Sequence, residues 1–268
     1  MVLTEVPKAV GFIYALVVIG VVAYLWYSHR WRQWIGWLLL IVSAALGFLI
    51  FSPVAPYQLQ QLALRDVQGL GAPLIVGATG LTLVLLLTVI FGRFFCGYAC
   101  PVGAVQEIAY LAPVPKLRPQ QKVAFMVVRG VFFVIFLIMA VVFSASLLAF
   151  FGIHDFFNLA LSAGSVVFLI MLLFSLVFYR PFCRLVCPYG LVLSLGAAKS
   201  LFRLRRTDAC IECKKCENAC PADEAKREDA KAECYLCGRC MDVCPKDGAL
   251  VYFKKPAPVE SSAKITGR

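Results

Sequence analysis

The chain of 268 residues is 61% hydrophobic and only 15% charged, whereas about a quarter of the residues in a soluble domain are charged. This composition excludes an ordinary soluble globular protein and favours a membrane protein. The net charge of +11 does not indicate a nucleic-acid partner, because the basic excess lies beside the apolar segments, where it attracts anionic lipid and sets topology.

Five apolar segments approach or exceed the length of ~20 residues that a helix needs to cross a bilayer core. They lie at residues 9–27, 34–52, 74–95, 130–151 and 160–179. The first is predicted to be a retained helix. Its leading sequence MVLTEVPK has one acid and one base, and no small-residue cleavage pattern follows it.

The distribution of Lys and Arg predicts the orientation of these helices. Basic residues cluster between the first and second segments, between the third and fourth, and after the fifth, while the opposite side has only Lys8 and Arg65. We therefore expect an inner (cytoplasmic) membrane protein with its amino terminus outside and its carboxy terminus in the cytoplasm. Arg129 is expected to snorkel from the fourth helix to the interface.

A repeated motif follows two of the apolar segments: FFCGYACPVG at residues 94–103 and PFCRLVCPYG at residues 181–190. It belongs to a repeat with a constant offset of 87 residues, which predicts two related helix-pair units plus an additional first helix. The identical pairs are Phe91 with Phe178, Arg93 with Arg180, Phe95 with Phe182, Cys96 with Cys183, Cys100 with Cys187, Pro101 with Pro188, and Gly103 with Gly190.

Each membrane cysteine pair is followed by a proline suited to the first turn of a helix. Short interfacial helices are predicted at residues 102–112 and 189–201. Their amino termini would favour negative charge on Cys100 and Cys187, and Arg93 and Arg180 would add positive charge nearby.

If the two units pack around a pseudo-twofold axis, all four membrane cysteines converge at the cytoplasmic face. Four thiolates suit an iron–sulfur cluster, copper(I) or two redox-active disulfides, and ordinary buried cysteines are the alternative. The four residues are Cys96, Cys100, Cys183 and Cys187.

A cysteine-rich module at residues 207–252 contains CIECKKCENACP and CYLCGRCMDVCP, two copies of C-x2-C-x2-C-x3-C-P at an offset of 24 residues. In two-cluster ferredoxins the fourth cysteine of each copy ligates the other cluster. Zinc does not need the third cysteine of each copy, and a reducing cytoplasm disfavours disulfides. The predicted ligands are Cys210, Cys213, Cys216 and Cys244 for one [4Fe-4S] cluster, and Cys234, Cys237, Cys240 and Cys220 for the second.

The predicted fold is thus an all-α polytopic membrane domain at residues 1–206, a small ferredoxin-like α+β domain at 207–252, and a disordered tail at 253–268. The basic sequence LFRLRR that ends the first part is predicted to be an interfacial stem. No haem is expected, because the two histidines, His29 and His154, are predicted on opposite sides of the membrane. His154 and Asp155 are candidates to take protons from a quinol, and capping or orienting their loop is the alternative.

The apolar helices, the two CxxxCP motifs and the two-cluster module together resemble the NapH/NosR/CcoG group of membrane polyferredoxin-like proteins, over about residues 74–252. The resemblance is greatest to compact NapH-like subunits, since NosR-like and CcoG-like members carry extra domains. It implies a quinol dehydrogenase that passes electrons to a reductase system, or, for CcoG-like members, copper reduction.

Three functions follow. The first is a membrane subunit passing electrons between the quinone pool and a partner redox protein through two [4Fe-4S] clusters and the four-cysteine membrane site. The second is a copper-binding reductase for metalloenzyme assembly. The third is a redox-sensing or structural membrane anchor.

Overall fold

A computed structural model describes residues 2–51, 54–70, 73–117 and 121–254, with side chains from residue 9 onwards. The end of the second apolar segment, at residue 52, and nearly all of the predicted tail lie outside the described residues. The helices are α1 (Val2–Tyr27), α2 (Gln33–Ile50), α3 (Ala55–Leu64), α4 (Val67–Leu70), α5 (Leu74–Phe91), α6 (Pro101–Tyr110), α7 (Lys122–Val141), α8 (Ile153–Phe157), α9 (Ala163–Phe174), α10 (Pro188–Ala198), α11 (Lys215–Ala219) and α12 (Arg239–Asp242).

Four of these helices, among the described residues, are long and apolar enough to cross a membrane: α1, α2, α5 and α7. The fourth starts at Lys122, eight residues before the apolar segment predicted at 130–151, and ends at Val141. One face of the first two turns of α7 contacts the cysteine module, because Lys122 pairs with Asp229 and Arg129 pairs with Glu233. Arg129 therefore does not snorkel to the interface as predicted: it is buried in an ion pair.

The fifth predicted segment, 160–179, contains a helix of only 12 residues, α9. At ~1.5 Å per residue such a helix is ~18 Å long, short of the ~30 Å of a bilayer core. The Ser175 hydroxyl donates to the carbonyl of Met171 at the end of this helix, where a serine side chain competes with the backbone ladder.

The 87-residue repeat has a conformational counterpart in two five-residue π-helical turns, Phe95–Ala99 and Phe182–Val186. In both, the amide of the second cysteine donates to the carbonyl of the phenylalanine five residues earlier, at 2.9 Å. Cys100 and Cys187 then cap the amino termini of α6 and α10, whose first residues are Pro101 and Pro188.

The helices after the prolines are not interfacial as predicted, since they run inside the bundle. A Cβ on Gly36 would meet the Tyr98 ring, and one on Gly47 would meet Pro101, so α6 runs back along α2. The Tyr189 hydroxyl of α10 donates to the carbonyl of Leu81 in α5 at 2.6 Å. The apolar faces of α6 and α10 are therefore buried against other helices.

The cysteine module contains a two-stranded antiparallel sheet, with β1 (Phe202–Arg206) paired to β2 (Leu250–Lys254). The first strand comes from the sequence predicted to be a stem. The predicted boundary at residue 207 therefore cuts this sheet, and the second strand continues two residues beyond the predicted end at 252. With only five residues, β1 is too short for the alternation of its side chains to be recognised from the sequence.

The module covers one end of the helical bundle. Gln33, at the start of α2, donates to Asp242 at 2.7 Å, and Tyr252 donates to the carbonyl of Phe91, the last residue of α5, at 2.7 Å. The ring of Tyr27, which ends α1, packs against Phe202. These helix ends therefore share one side of the bundle, as the distribution of basic residues predicts.

Candidate metal centres

The eight cysteines of the module line two cavities, four to each. The first cavity, of about 340 Å³, is lined by one set of four thiols, and Cys213 lies at the exposed surface. The second cavity, of about 540 Å³, is lined by the other set and lies against the membrane helices through Tyr179. The sets are Cys210, Cys213, Cys216 and Cys244 in the first cavity, and Cys220, Cys234, Cys237 and Cys240 in the second.

Left-handed backbone residues recur in both motifs at the same offset of 24 residues. Glu212 (φ 52°) corresponds to Leu236 (φ 54°), and Lys214 (φ 58°) corresponds to Gly238 (φ 84°). Alternating right-handed and left-handed residues turn successive amides toward one point and form an anion-binding concavity. Such a backbone fits an anionic cluster held by thiolates.

Burial raises the pKa of the Cys220 thiol to about 11 and that of Cys234 to about 12. A thiol with so high a pKa keeps its proton near neutral pH unless a metal displaces it. Cys220 and Cys234 therefore lie in a place that is shielded from water.

The four membrane cysteines line a third cavity, of about 320 Å³, together with Ala55 and Pro56 of α3. This cavity is deeper than the cytoplasmic face predicted for it. Pro101, next to Cys100, packs beside Gly47, which lies fourteen residues after Gln33, or ~21 Å along α2 at ~1.5 Å per residue. The membrane cysteines therefore do not lie at the ends of the preceding helices. The chain turns back into the bundle, and the cysteines lie in its interior.

Hydrogen-bond donors surround the membrane thiols. The Gln106 side-chain amide is 3.3 Å from the Cys183 sulfur, and the Gly190 backbone amide is 3.2 Å from the Cys187 sulfur. Arg93 Nη2 lies 3.9 Å from the Cys96 sulfur. N–H donors to sulfur stabilise negative charge on a metal-bound thiolate and tune its potential.

The two repeated arginines make equivalent contacts across the repeat. Arg180 Nε donates to Glu107 at 2.7 Å, and Arg93 Nη1 donates to Ser194 at 3.0 Å. Residues 107 and 194 correspond at the offset of 87. The second unit has serine at the position of the carboxylate, and Glu233 of the module supplies the negative charge, 3.2 Å from Arg93.

Glu233 also pairs with Arg129 at 2.5 Å and accepts from Ser194 at 2.6 Å. Burial opposes its ionisation, but Arg93 and Arg129 outweigh burial and lower the pKa of Glu233 to about 2. An ionised side chain one residue before Cys234 therefore holds the module to the membrane helices.

Tyr235 fills the space between the membrane cysteines and the second cavity of the module. Its ring lies against both repeated arginines, 4.4 Å from the guanidinium of Arg93 and 4.6 Å from that of Arg180. A Cβ on Gly97 would lie only 2.6 Å from the Tyr235 carbonyl oxygen. Only glycine, at this position, lets the two backbones approach so closely.

Sequence reasoning did not find Gln106, Glu107, Glu233 or Tyr235. A detectable signal existed for the first two, because adjacent polar residues interrupt an apolar helix that would otherwise be buried. Glu233 and Tyr235 stand between cysteines of a solvated module, where neither residue type is unusual.

His154 and Asp155 lie in α8, where the structure gives them contacts that orient the loop. Asp155 accepts from Ser162 at 2.5 Å, and Ser162 caps α9. The His154 ring stacks on Tyr57 at 5.6 Å. Neither residue lines the membrane cysteine cavity.

All twelve cysteines are free thiols. Within the described part of the chain, no three His, Cys, Asp or Glu side chains are close enough to hold one metal ion. This holds for the ferredoxin motifs as well as for the membrane set.

A family model described as a 4Fe-4S binding domain matches residues 73–120 and 161–206. The first range contains Cys96 and Cys100, and the second contains Cys183 and Cys187. The match therefore covers the two membrane repeats, while the eight cysteines of the module lie outside it.

Several relatives share parts of this chain. An uncharacterized protein of Methanocaldococcus jannaschii is 33% identical over 53% of this chain and 63% of its own length. The putative electron transport protein YccM of Escherichia coli is 28% identical over 52% and 44%. The methylamine utilization ferredoxin-type protein MauN of Paracoccus denitrificans is 30% identical over 67% and 64%.

The chain spans less than two thirds of the length of each of these relatives. No solved structure matches it. The comparisons therefore support 4Fe-4S binding by this chain, with the matched residues in the two membrane repeats.

Proposed function

We propose that this chain is a membrane-bound electron-transfer subunit that passes single electrons between the quinone pool and a partner redox protein. The observation that carries the proposal is the arrangement of all twelve cysteines in three sets of four, each around its own cavity. The membrane set and the second module set are joined by the buried side chains of Arg93 and Tyr235.

The eight module cysteines hold two [4Fe-4S] clusters in this proposal, each set by three cysteines from one motif and one from the other. A bound [4Fe-4S] cluster takes up or releases one electron at a time, so a quinol gives up its two electrons singly and its two protons to water. The backbone concavities at Lys214 and Gly238 orient amides toward each cluster. Cys213, exposed at the surface, places the first cluster where a partner can approach.

The membrane cysteines hold a third iron–sulfur cluster in this proposal. Two findings support it: the 4Fe-4S model matches these repeats, and amide and guanidinium donors surround the sulfurs. Arg93 touches Cys96 and also donates to the carbonyl of Ala232, two residues before Cys234. It therefore connects this site to the module.

The closer assignment to compact NapH-like quinol dehydrogenases, the inner-membrane location and the cytoplasmic side of the module belong to the same proposal. They are supported by the paired CxxxCP motifs and by the basic residues on the module side of the helices.

Iron and acid-labile sulfide assays on anaerobically purified protein test the three sites. About twelve irons per chain are expected for three [4Fe-4S] clusters, and about eight for the module alone. Cys183→Ser should remove about four irons and leave the paramagnetic resonance signals of the reduced module unchanged. Cys216→Ser should also remove about four irons, but it should change those signals.

Protein without iron and sulfide would contradict the proposal. If the purified protein contains copper and Cys183→Ser loses it, the membrane cysteines bind copper instead of a third cluster, and the metal-handling function is supported.

A further inference from the structure

A fourth cavity, of about 820 Å³, lies between α2 and the cysteine module and is larger than any of the three thiol-lined cavities. One wall is the beginning of α2, including Gly36, Trp37 and Leu40, and Leu111 lies opposite. Cys237, a predicted ligand of the second cluster, is also part of the lining. The cavity therefore connects a membrane-spanning helix with a redox centre.

The wall of this cavity faces the membrane. Trp37 is 46% exposed on a helix that is apolar enough to span the bilayer. The protein has four tryptophans, all between residues 26 and 37, and tryptophan is enriched at the boundary between lipid and water. A lipid-soluble molecule can thus reach the cavity from the bilayer near the module.

The polar end of the cavity carries no net charge. Glu107 pairs with both Arg180 and Arg239, and Asp242 accepts from Gln33 at 2.7 Å. Two arginines thus face two carboxylates. An anionic lipid headgroup would find no excess positive charge here, whereas a neutral head group with oxygen acceptors would suit the site.

One donor at this end is unused. Arg239 lines both this cavity and the second thiol-lined cavity, and its Nη1 atom is buried without a hydrogen-bond partner among the residues that the structure describes. A buried donor without a partner costs about 1–3 kcal/mol, and a ligand carbonyl or hydroxyl oxygen would satisfy it. Ligand cavities combine apolar walls with a few such polar groups.

We infer that this cavity binds the neutral aromatic head group of a quinone or quinol, with its oxygen toward Arg239 and its ring between Trp37 and Leu111. The inference rests on the proposed function, because it gives the quinone pool its place of contact with the chain. The head group then lies next to Cys237, and its tail leaves along α2 into the lipid.

Tryptophan fluorescence of the full-length protein in detergent provides a binding assay that does not require electron transfer, with decylubiquinone as the probe and the clusters oxidised. Leu111→Trp narrows the cavity, and Ile108→Trp is the matched control, since it adds one tryptophan to α6 at a position that does not line the cavity. We expect saturable quenching in the wild type and in the control. Leu111→Trp should raise the half-saturating concentration about tenfold or more, equivalent to about 1.4 kcal/mol.

Reduction of the same samples separates this inference from the proposed function. Dithionite should reduce the clusters in all three proteins. Decylubiquinol should reduce the clusters of Leu111→Trp more slowly than those of the wild type and of the Ile108→Trp control. Equal binding by Leu111→Trp and wild type would overturn the site while quinol reduction of the wild type still supported the function. Displacement of the probe by phosphatidylglycerol would overturn the ligand class. A third outcome would overturn both the site and the quinone role: the wild type is reduced by dithionite, but it does not bind decylubiquinone and is not reduced by decylubiquinol.

Discussion

Glu233 shows how one residue joins the two parts of this protein. Its carboxylate lies between Arg93 and Arg129 and next to Ser194, and all four side chains are buried. Removing one member of a buried ion network leaves a buried charge without a partner. The free-energy cost of that charge exceeds the stabilisation that the intact network provided. The attachment of the module should therefore depend strongly on this carboxylate.

Glu233→Gln should destabilise the docked module by on the order of 3 kcal/mol, because two buried arginines lose their counter-ion. The measurement is the midpoint for loss of iron–sulfur absorbance on heating. Glu217→Gln is the control, since Glu217 pairs with Arg206 inside the module and does not reach the helices. Equal midpoints for the two variants would show that Glu233 does not hold the interface.

Tyr235 acts through its ring rather than its hydroxyl, which has no hydrogen-bond partner within the described residues. Tyr235→Phe should change stability by less than about 0.5 kcal/mol. Tyr235→Leu should cost about 2 kcal/mol, because it removes two desolvated cation–π contacts. Thermal loss of cluster absorbance compares the two, and a damaging Phe variant would instead assign the role to the hydroxyl.

At the scale of the element, the two π-helical turns decide where the membrane cysteines lie. Each turn places its first cysteine inside the π segment and its second at the cap of the next helix. The following proline starts α6 or α10, whose small and apolar side chains let the helix run back through the bundle. A π segment of this kind commonly marks a functional site.

Gly97 lies in the first of these turns, and its substitution tests the close approach of the module. Gly97→Ala should destabilise the docked module by about 1–3 kcal/mol, since the new methyl would overlap the Tyr235 carbonyl. Gly130→Ala is the matched control, because no atom lies within 4 Å of a Cβ built there. Limited proteolysis of the chain between α10 and β1 should be faster in Gly97→Ala than in Gly130→Ala. Identical digestion of the two variants would refute the contact.

At the scale of the whole molecule, the three thiol sets form a row from the exposed face of the module into the interior of the helical bundle. Cys213 is at the surface, the second set faces the helices, and the membrane set adjoins α3 at the far end of α2. Electrons could therefore travel part of the way across the bilayer without leaving the protein.

Topology is predicted at this same scale from the basic residues beside the module. Alkaline phosphatase fused after Leu159 should be active, because this loop is predicted outside, and a fusion after Lys254 should be inactive, because the module is predicted in the cytoplasm. Activities of the fusions in intact cells check this, and the reverse pattern would place the module outside.

The sequence by itself determined the membrane class, the first three long spans, the twelve cysteines and their division into two motifs and two CxxxCP pairs. It placed the start of the fourth span eight residues too late and predicted a fifth span where the helix has only 12 residues. These features depend on hydropathy, residue spacing and repetition, which are local along the chain. The sequence also predicts that Cys210, Cys213 and Cys216 share a cluster with the distant Cys244, because three closely spaced ligands leave one corner of a cluster for the other motif.

Only the tertiary structure decided the depth of the membrane cysteines, the paths of α6 and α10, and the contacts of Glu233 and Tyr235. The direction of a helix after a proline depends on which neighbours can bury its faces, and α2 and α5 are those neighbours here. The second repeat has Ser194 where the first has Glu107, and Glu233 supplies the missing carboxylate. Glu233 pairs with Arg93 and Arg129, which lie more than a hundred positions earlier in the chain. Spacing along the chain carries no information about such a contact, because it exists only once the helices and the module have packed together.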